Sequence, residues 1–268
     1  MVYSEIVTSK TPFLEVTYPE LEDRKSRFSL FHLNRRNPER ELFVKDFNEK
    51  EFIGEELCRI RGRESAHYFL VGINPNSLAR YRQVKRYGDV NSRIYSFLIG
   101  SYDFKDPNKE YFDLSTLSFE EDSIDRFLNM CPNNENKKEL LHEILDLIAL
   151  DVFMGQEDRC GKNVMFEKSS DGYIHLAPIY DFQYSIKTSS LFYRSVFHTF
   201  RSDRSYHEFM EKYGEFRDLL ESYSDEDLYA ITESGFKRNS MIIPENQKDF
   251  LRGYSKKRRQ LINPREEH

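Results

Sequence analysis

LIALDVFMGQEDRCGKNVMFEKSSDGYIHLAPIYDFQYS, residues 147–185, is the stretch on which the reading of the chain turns. It opens on the end of an apolar helix. A polar, glycine-containing turn follows, with Asp158 and Asn163 in it, and then two short strand-like runs around Ser-Ser-Asp-Gly, the turn chemistry of a tight hairpin. The hairpin leads into Ile179-Tyr180-Asp181-Phe182. An Asp with an Asn five positions on is weak by itself, since about one such pair is expected by chance in a chain this rich in both. Its placement gives it weight: it follows a buried helix directly, and a third acid comes just beyond a hairpin.

Upstream, residues 137–154 carry Leu140, Leu141, Ile144, Leu145, Leu147, Ile148, Leu150, Val152 and Phe153 around most of a helical circumference, which predicts a buried central helix. A shorter helical pattern covers 122–130. Further back, SRFSLFHLN (26–34), the turn RRNPER (35–40) and ELFVKDF (41–47) form an alternating pattern on both sides of an Asn-Pro turn and predict a β-hairpin. Its second strand carries Lys45. A helical stretch follows at 49–61, with Ile53, Leu57 and Ile60 on one face and Glu55 and Glu56 close to it. Residues 67–73 and 93–100 read as further strands, separated by a basic loop, and the sheet is expected to be mostly antiparallel with one helix on it. Gly100-Ser101-Tyr102 is the candidate hinge to the second half. Downstream of residue 189 the chain is expected to be helical at 207–223, 225–234 and 245–261.

The resulting fold class is α+β, in two lobes: residues 1–102, a small antiparallel sheet with one helix, and residues 103–268, mostly helical. With 268 residues, the chain is long enough for a core in each. Cys58, Cys131 and Cys160 are scattered and odd in number, which argues against a disulfide framework or a zinc site. The net charge of -6 gives no general nucleic-acid footprint, and the basic run Lys256-Lys257-Arg258-Arg259 reads as a solvated helix face. With 22 Phe, 17 Tyr and no Trp, the core is expected to be built on Phe and Tyr. No transmembrane run and no secretory layout at the start are found, so the expected location is cytoplasmic.

Phosphoryl transfer accounts for each polar piece. A hydroxyl attacking a γ-phosphate needs a carboxylate to orient it and accept its proton, and Mg²⁺ needs oxygen ligands beside the phosphates. Asp158 fits the base, and Asn163 with Asp181 fits the metal. Lys45, paired with Glu55 or Glu56, suits the α- and β-phosphates of ATP, while Arg159 would steady the loop or help neutralise phosphate.

The sequence GQEDRCGKN (155–163) followed by LAPIYDF (176–182) resembles the active-site signature of the HipA-like Ser/Thr protein kinases, with their DxHxxN turn and LAP-apolar-YD segment. The segment ending in ELFVKDF and the helix with Gly54-Glu55-Glu56 also resemble the family's first hairpin and helix. The resemblance implies Lys45 for ATP, Glu55 as the lysine's partner, Asp158 as base, and Asn163 and Asp181 for Mg²⁺. It further implies a protein Ser/Thr acceptor, autophosphorylation, and an antitoxin-like or host protein partner, in the cytoplasm or as a translocated effector. Two departures stand out. Cys160 replaces the usual His, and the first glycine of the chain is Gly54, so the region around Ser26 lacks the glycines that phosphate loops favour and Ser26 would meet phosphate through its hydroxyl or backbone N–H. Two other readings are a non-catalytic pseudokinase that binds partners, and a lipid or small-molecule kinase whose basic loop RYRQVKR (80–86) meets acidic lipid.

Overall fold

The computed structural model describes residues 13–16, 21–22, 29–32, 41–73, 97–114, 124–157, 159–186 and 193–262. Six strands form its main sheet: β1 (Phe13–Val16), β2 (Leu21–Glu22), β3 (Ser29–His32), β4 (Glu41–Asp46), β5 (Tyr68–Ile73) and β6 (Phe97–Tyr102). Their order is β1-β5-β6-β4-β3-β2, antiparallel except where β1 runs parallel to β5. The expected hairpin is β3–β4, with Ser29 opposite Val44 and His32 opposite Glu41. Gly100-Ser101-Tyr102 is not a connection. It forms the end of β6, paired with β4 and β5, because the ladder continues past the glycine.

Two residues, Phe47 and Asn48, separate β4 from helix α1 (Glu49–Ile60). The Asn48 side chain accepts the Lys50 N–H and so satisfies one of the free amides of the first turn. A second, three-stranded sheet is made by β7 (Glu110–Asp113), β8 (Met165–Lys168) and β9 (Ile174–Leu176), all antiparallel. The β8–β9 hairpin was legible in the sequence. Strand β7 was not, because its four residues show no clear alternation and owe their extended form to pairing with β8.

Helices α2 (Ile124–Leu128) and α3 (Asn134–Met154) precede the decisive turn. Every residue of α3 from Ile144 to Met154 is buried, as the apolar circumference predicted. Gly155 ends α3 in the left-handed conformation (φ 61°), where its N–H reaches the Asp151 and Val152 carbonyls and the chain turns sharply toward the site. Beyond the site come β10 (Tyr193–Arg194), β11 (Thr199–Phe200), α4 (Asp203–Lys212), α5 (Gly214–Ser224), α6 (Leu228–Arg238) and α7 (Glu245–Ile262). The single helix expected at 207–223 is therefore two, broken at Tyr213, whose φ and ψ of -123° and 78° leave the helical region.

The core is aromatic. Phe166 stacks with Phe112 and meets Phe127 and Phe197, while Phe200, Tyr206, Phe209 and Phe216 form a second cluster under α4 and α5. The run at 256–259 is only partly a solvated face: Lys256 and Lys257 are exposed, but Arg258 is buried and donates to the Phe153 and Val152 carbonyls at the end of α3. Those carbonyls belong to the last turn of a helix, which welcomes a cation. Among the described residues, no helix is long and apolar enough to cross a membrane.

Candidate active site

Two segments meet where β4, α1 and the stretch after β9 come together. Ala177 to Phe182 is tied to the link between α1 and β5: Ile179 N–H donates to the Glu64 carbonyl at 3.0 Å, and Ala66 N–H donates back to the Ile179 carbonyl at 2.8 Å. This brings Asp181 to Lys45. The Lys45 ammonium donates to Asp181 Oδ1 at 3.0 Å and to Glu51 Oε1, and it lies 5.6 Å from the centre of the Tyr68 ring. Burial works against the Lys45 charge, but Glu51 and Asp181 outweigh it and hold the pKa above its ordinary value.

The helix acid is thus Glu51, and neither Glu55 nor Glu56 pairs with Lys45. Glu51 sits in the first turn of α1, directly after the short link from the strand that carries the lysine. Glu55, a turn further on, accepts the Tyr68 N–H at 3.0 Å and pairs with His67, whose pKa it raises. Glu56 faces the other way, toward α6, where Ser234 and Arg238 donate to it, as does Arg59 of α1 itself. Burial alone would raise its pKa, but those three donors hold it at about 2.

The backbone of residues 180–182 is gripped on every side. Arg159 donates to the Tyr180 carbonyl at 2.6 Å, Asp181 N–H donates to the Tyr68 hydroxyl oxygen at 3.0 Å, Gln156 Nε2 donates to the Asp181 carbonyl at 2.7 Å, and Phe182 N–H donates to Glu51 Oε2 at 2.9 Å. Asp181 itself is left-handed, with φ 62°. Such a backbone costs a non-glycine residue about 1–2 kcal/mol, an amount that two ordinary hydrogen bonds offset. The Phe182 ring lies against α1 at Gly54, where a Cβ would fall 2.2 Å from Phe182 Cγ, so only glycine admits the ring.

Arg159 is fully buried and makes no surface for phosphate. Its Nε and Nη2 form a two-point pair with Asp151 at 2.9 and 2.8 Å, and Nη1 donates to the Asn163 and Tyr180 carbonyls. Of the two roles expected for it, steadying the loop is the one its geometry serves. Asp151 keeps the guanidinium charged despite the burial that opposes it. The pair also explains a buried acid in the apolar last turn of α3, which was the sequence's clue to it. Because one nitrogen holds both carbonyls, Asn163 and the residue preceding Asp181 are drawn together. The site's further polar contacts with Tyr68, Gln156 and Glu51 had no sequence pattern of their own.

Asp158 and Ser26 lie outside the described residues, as does the basic loop 80–86. His142 and His175 bond Glu215 and Glu143 respectively and stand apart from the site. Among the described residues, no cluster of three His, Cys, Asp or Glu is placed to hold a metal. The donors that remain, the Asn163 amide and the Asp181 carboxylate, are both buried and both hard oxygen ligands, which suit Mg²⁺.

The sheet, the helix bearing the lysine's acid and the clasped turn belong to a fold shared with two solved structures. In particular, the chain is similar to the Helicobacter pylori proinflammatory kinase CtkA (TM-score 0.53, 14% identity, 95% of this chain and 98% of that one). It is also similar to HipA of Shewanella oneidensis MR-1, solved with HipB and operator DNA (TM-score 0.54, 11% identity, 93% of this chain and 66% of that one). No protein-family model and no curated protein matches the sequence.

Proposed function

We propose that this chain is an ATP- and Mg²⁺-dependent phosphotransferase of the HipA-like kind that phosphorylates a protein Ser or Thr hydroxyl, its own included. Residues 1–102 would serve as the nucleotide-holding lobe and 103–268 as the catalytic lobe. The observation that carries the reading is the meeting of Lys45, Glu51 and Asp181, three charged groups brought from strand, helix and post-hairpin turn into one buried cluster.

In this reading Lys45, oriented by Glu51, binds phosphate oxygens of ATP, and Ser26 adds a further phosphate contact. Asn163 and Asp181 would hold Mg²⁺, and when bound the ion would supply positive charge beside the phosphates. Asp158 orients the acceptor hydroxyl and takes its proton as the oxygen–phosphorus bond forms and the bond to the β-phosphate oxygen breaks, releasing ADP. An antitoxin-like or host protein partner belongs to the same proposal, since the Shewanella HipA was solved with HipB.

The test is transfer of label from γ-labelled ATP to the chain and to a mixed protein acceptor. Acid-stable label on Ser or Thr that is lost in Asp158→Ala and Asp181→Asn supports the reading. Absence of label with either Mg²⁺ or Mn²⁺ refutes it. Two observations favour a second reading, a non-catalytic partner-binding role: Lys45 and Asp181 neutralise each other directly, and the chain has no glycine before Gly54.

A further inference from the structure

We propose that Tyr68 and Gln156 form a positioning clasp that fixes the Asp181 peptide unit, and with it the direction of the Asp181 carboxylate as a metal ligand; this rests on the phosphotransferase reading. Tyr68 lies at the start of β5, and Gln156 lies just past the end of α3, so the clasp joins the main sheet to the turn that carries Asn163. Each takes one side of the same residue. The Tyr68 hydroxyl oxygen accepts the Asp181 N–H at 3.0 Å, and Gln156 Nε2 donates to the Asp181 carbonyl at 2.7 Å.

Both side chains are buried, and both are fixed by other contacts. The Tyr68 N–H is held by Glu55 at 3.0 Å, which gives that acid a purpose other than pairing with the lysine. The Glu157 N–H donates to Gln156 Oε1 at 3.2 Å, which orients the amide so that its NH₂ faces Asp181. Burial, then the neighbouring Glu51 charge, keeps the Tyr68 phenol protonated and neutral. Asp181 holds a left-handed backbone, which is unfavourable for a non-glycine residue, while its carboxylate meets Lys45 at 3.0 Å, and the two bonds of the clasp hold the backbone in that conformation.

The variants are Tyr68→Phe, which keeps the ring beside Lys45 and deletes the hydroxyl that accepts the Asp181 N–H and also bonds Glu51, and Gln156→Met, which keeps length and deletes the donor. Gln156→Glu serves as a third, since it preserves the acceptor for Glu157 N–H without the donor. Two readouts are taken: amide hydrogen exchange at residues 181 and 182, and Mn²⁺ binding in the presence of a non-hydrolysable ATP analogue. Expected is exchange at residue 181 faster by about fivefold or more in each variant, with the Mn²⁺ half-saturation point raised by a similar factor, the scale of one lost hydrogen bond. Turnover at saturating Mn²⁺ is expected to change less than the half-saturation point does. Wild-type protein that takes up no Mn²⁺ with the analogue would overturn the phosphotransferase reading and the metal-directing purpose with it. Wild-type uptake that is matched by all three variants, or unchanged exchange at residue 181, would overturn the clasp alone.

Discussion

Replacing Glu51 by Gln tests the central geometric claim, that this acid and not Glu55 or Glu56 is the partner of Lys45. Glu51 is completely buried and does two jobs: one oxygen receives the Lys45 ammonium and the other the Phe182 N–H. The Gln side chain has one oxygen for two donors, and its NH₂ group must face the donor left over. Stripping one partner from a buried charge pair costs about 3–5 kcal/mol in full, and a hydrogen bond to a charged group contributes about 1.5–3 kcal/mol. Lys45 keeps Asp181 at 3.0 Å, so the upper range is not reached. We expect a loss of about 2–3 kcal/mol, read by urea denaturation, with a melting point lower by about 5–10 °C for a chain of this size. Label transfer is expected to fall at least tenfold, on the order of the cost of a loosened phosphate ligand. Glu55→Gln is the control, with transfer kept within about threefold because Glu55 serves the Tyr68 backbone. If Glu51→Gln stays within about 0.5 kcal/mol of the wild type and transfers normally while Glu55→Gln loses transfer, the pairing argument is refuted.

Gly54→Ala puts a methyl group 2.2 Å from Phe182 Cγ, so the ring must move; a stability loss of about 1–3 kcal/mol in denaturant titrations is expected. Arg159→Met strands the buried Asp151 carboxylate, leaving it the Tyr193 hydroxyl, and is expected to cost about 3–5 kcal/mol. Adding Asp151→Leu should recover much of that loss, and failure to recover would show that the Tyr180 and Asn163 carbonyl contacts matter more than the charge pair. Glu56 has a folded pKa of about 2, below its ordinary 4.5, so its contribution is present above pH 4.5 and is lost as pH falls from there through about 2. Melting curves taken from pH 6 down to 3 should therefore fall less steeply in Glu56→Gln than in the wild type, and parallel curves would contradict the assignment.

The resemblance to HipA-like kinases was carried by GQEDRCGKN and LAPIYDF, and the fold shared with CtkA of Helicobacter pylori extends over 95% of the chain. The hairpin at β3–β4, the helix α1, the buried α3 and the β8–β9 hairpin were all legible because their causes are local: alternation, 3.6-residue periodicity, an Asn cap and a Gly turn. Lys45 and Asp181, both singled out in the sequence, meet at 3.0 Å. The reading failed where a residue's role depends on what packs against it. β7 is extended only because β8 is beside it, and Arg258 looks like one more surface cation until the end of α3 lies under it.

The same division runs through the site. Composition and pattern determined that a lysine-bearing strand precedes an acid-bearing helix, and that a polar turn precedes an Asp. Which of the helix acids meets the lysine was decided by the rotation of α1 about its own axis, and that rotation is set by distant contacts: Gly54 against Phe182 on one side and Glu56 against α6 on the other. Three carboxylates within six residues present nearly the same local chemistry. Only the tertiary packing of the faces between them makes Glu51 the partner of Lys45, and gives Glu55 to Tyr68 and Glu56 to Arg238.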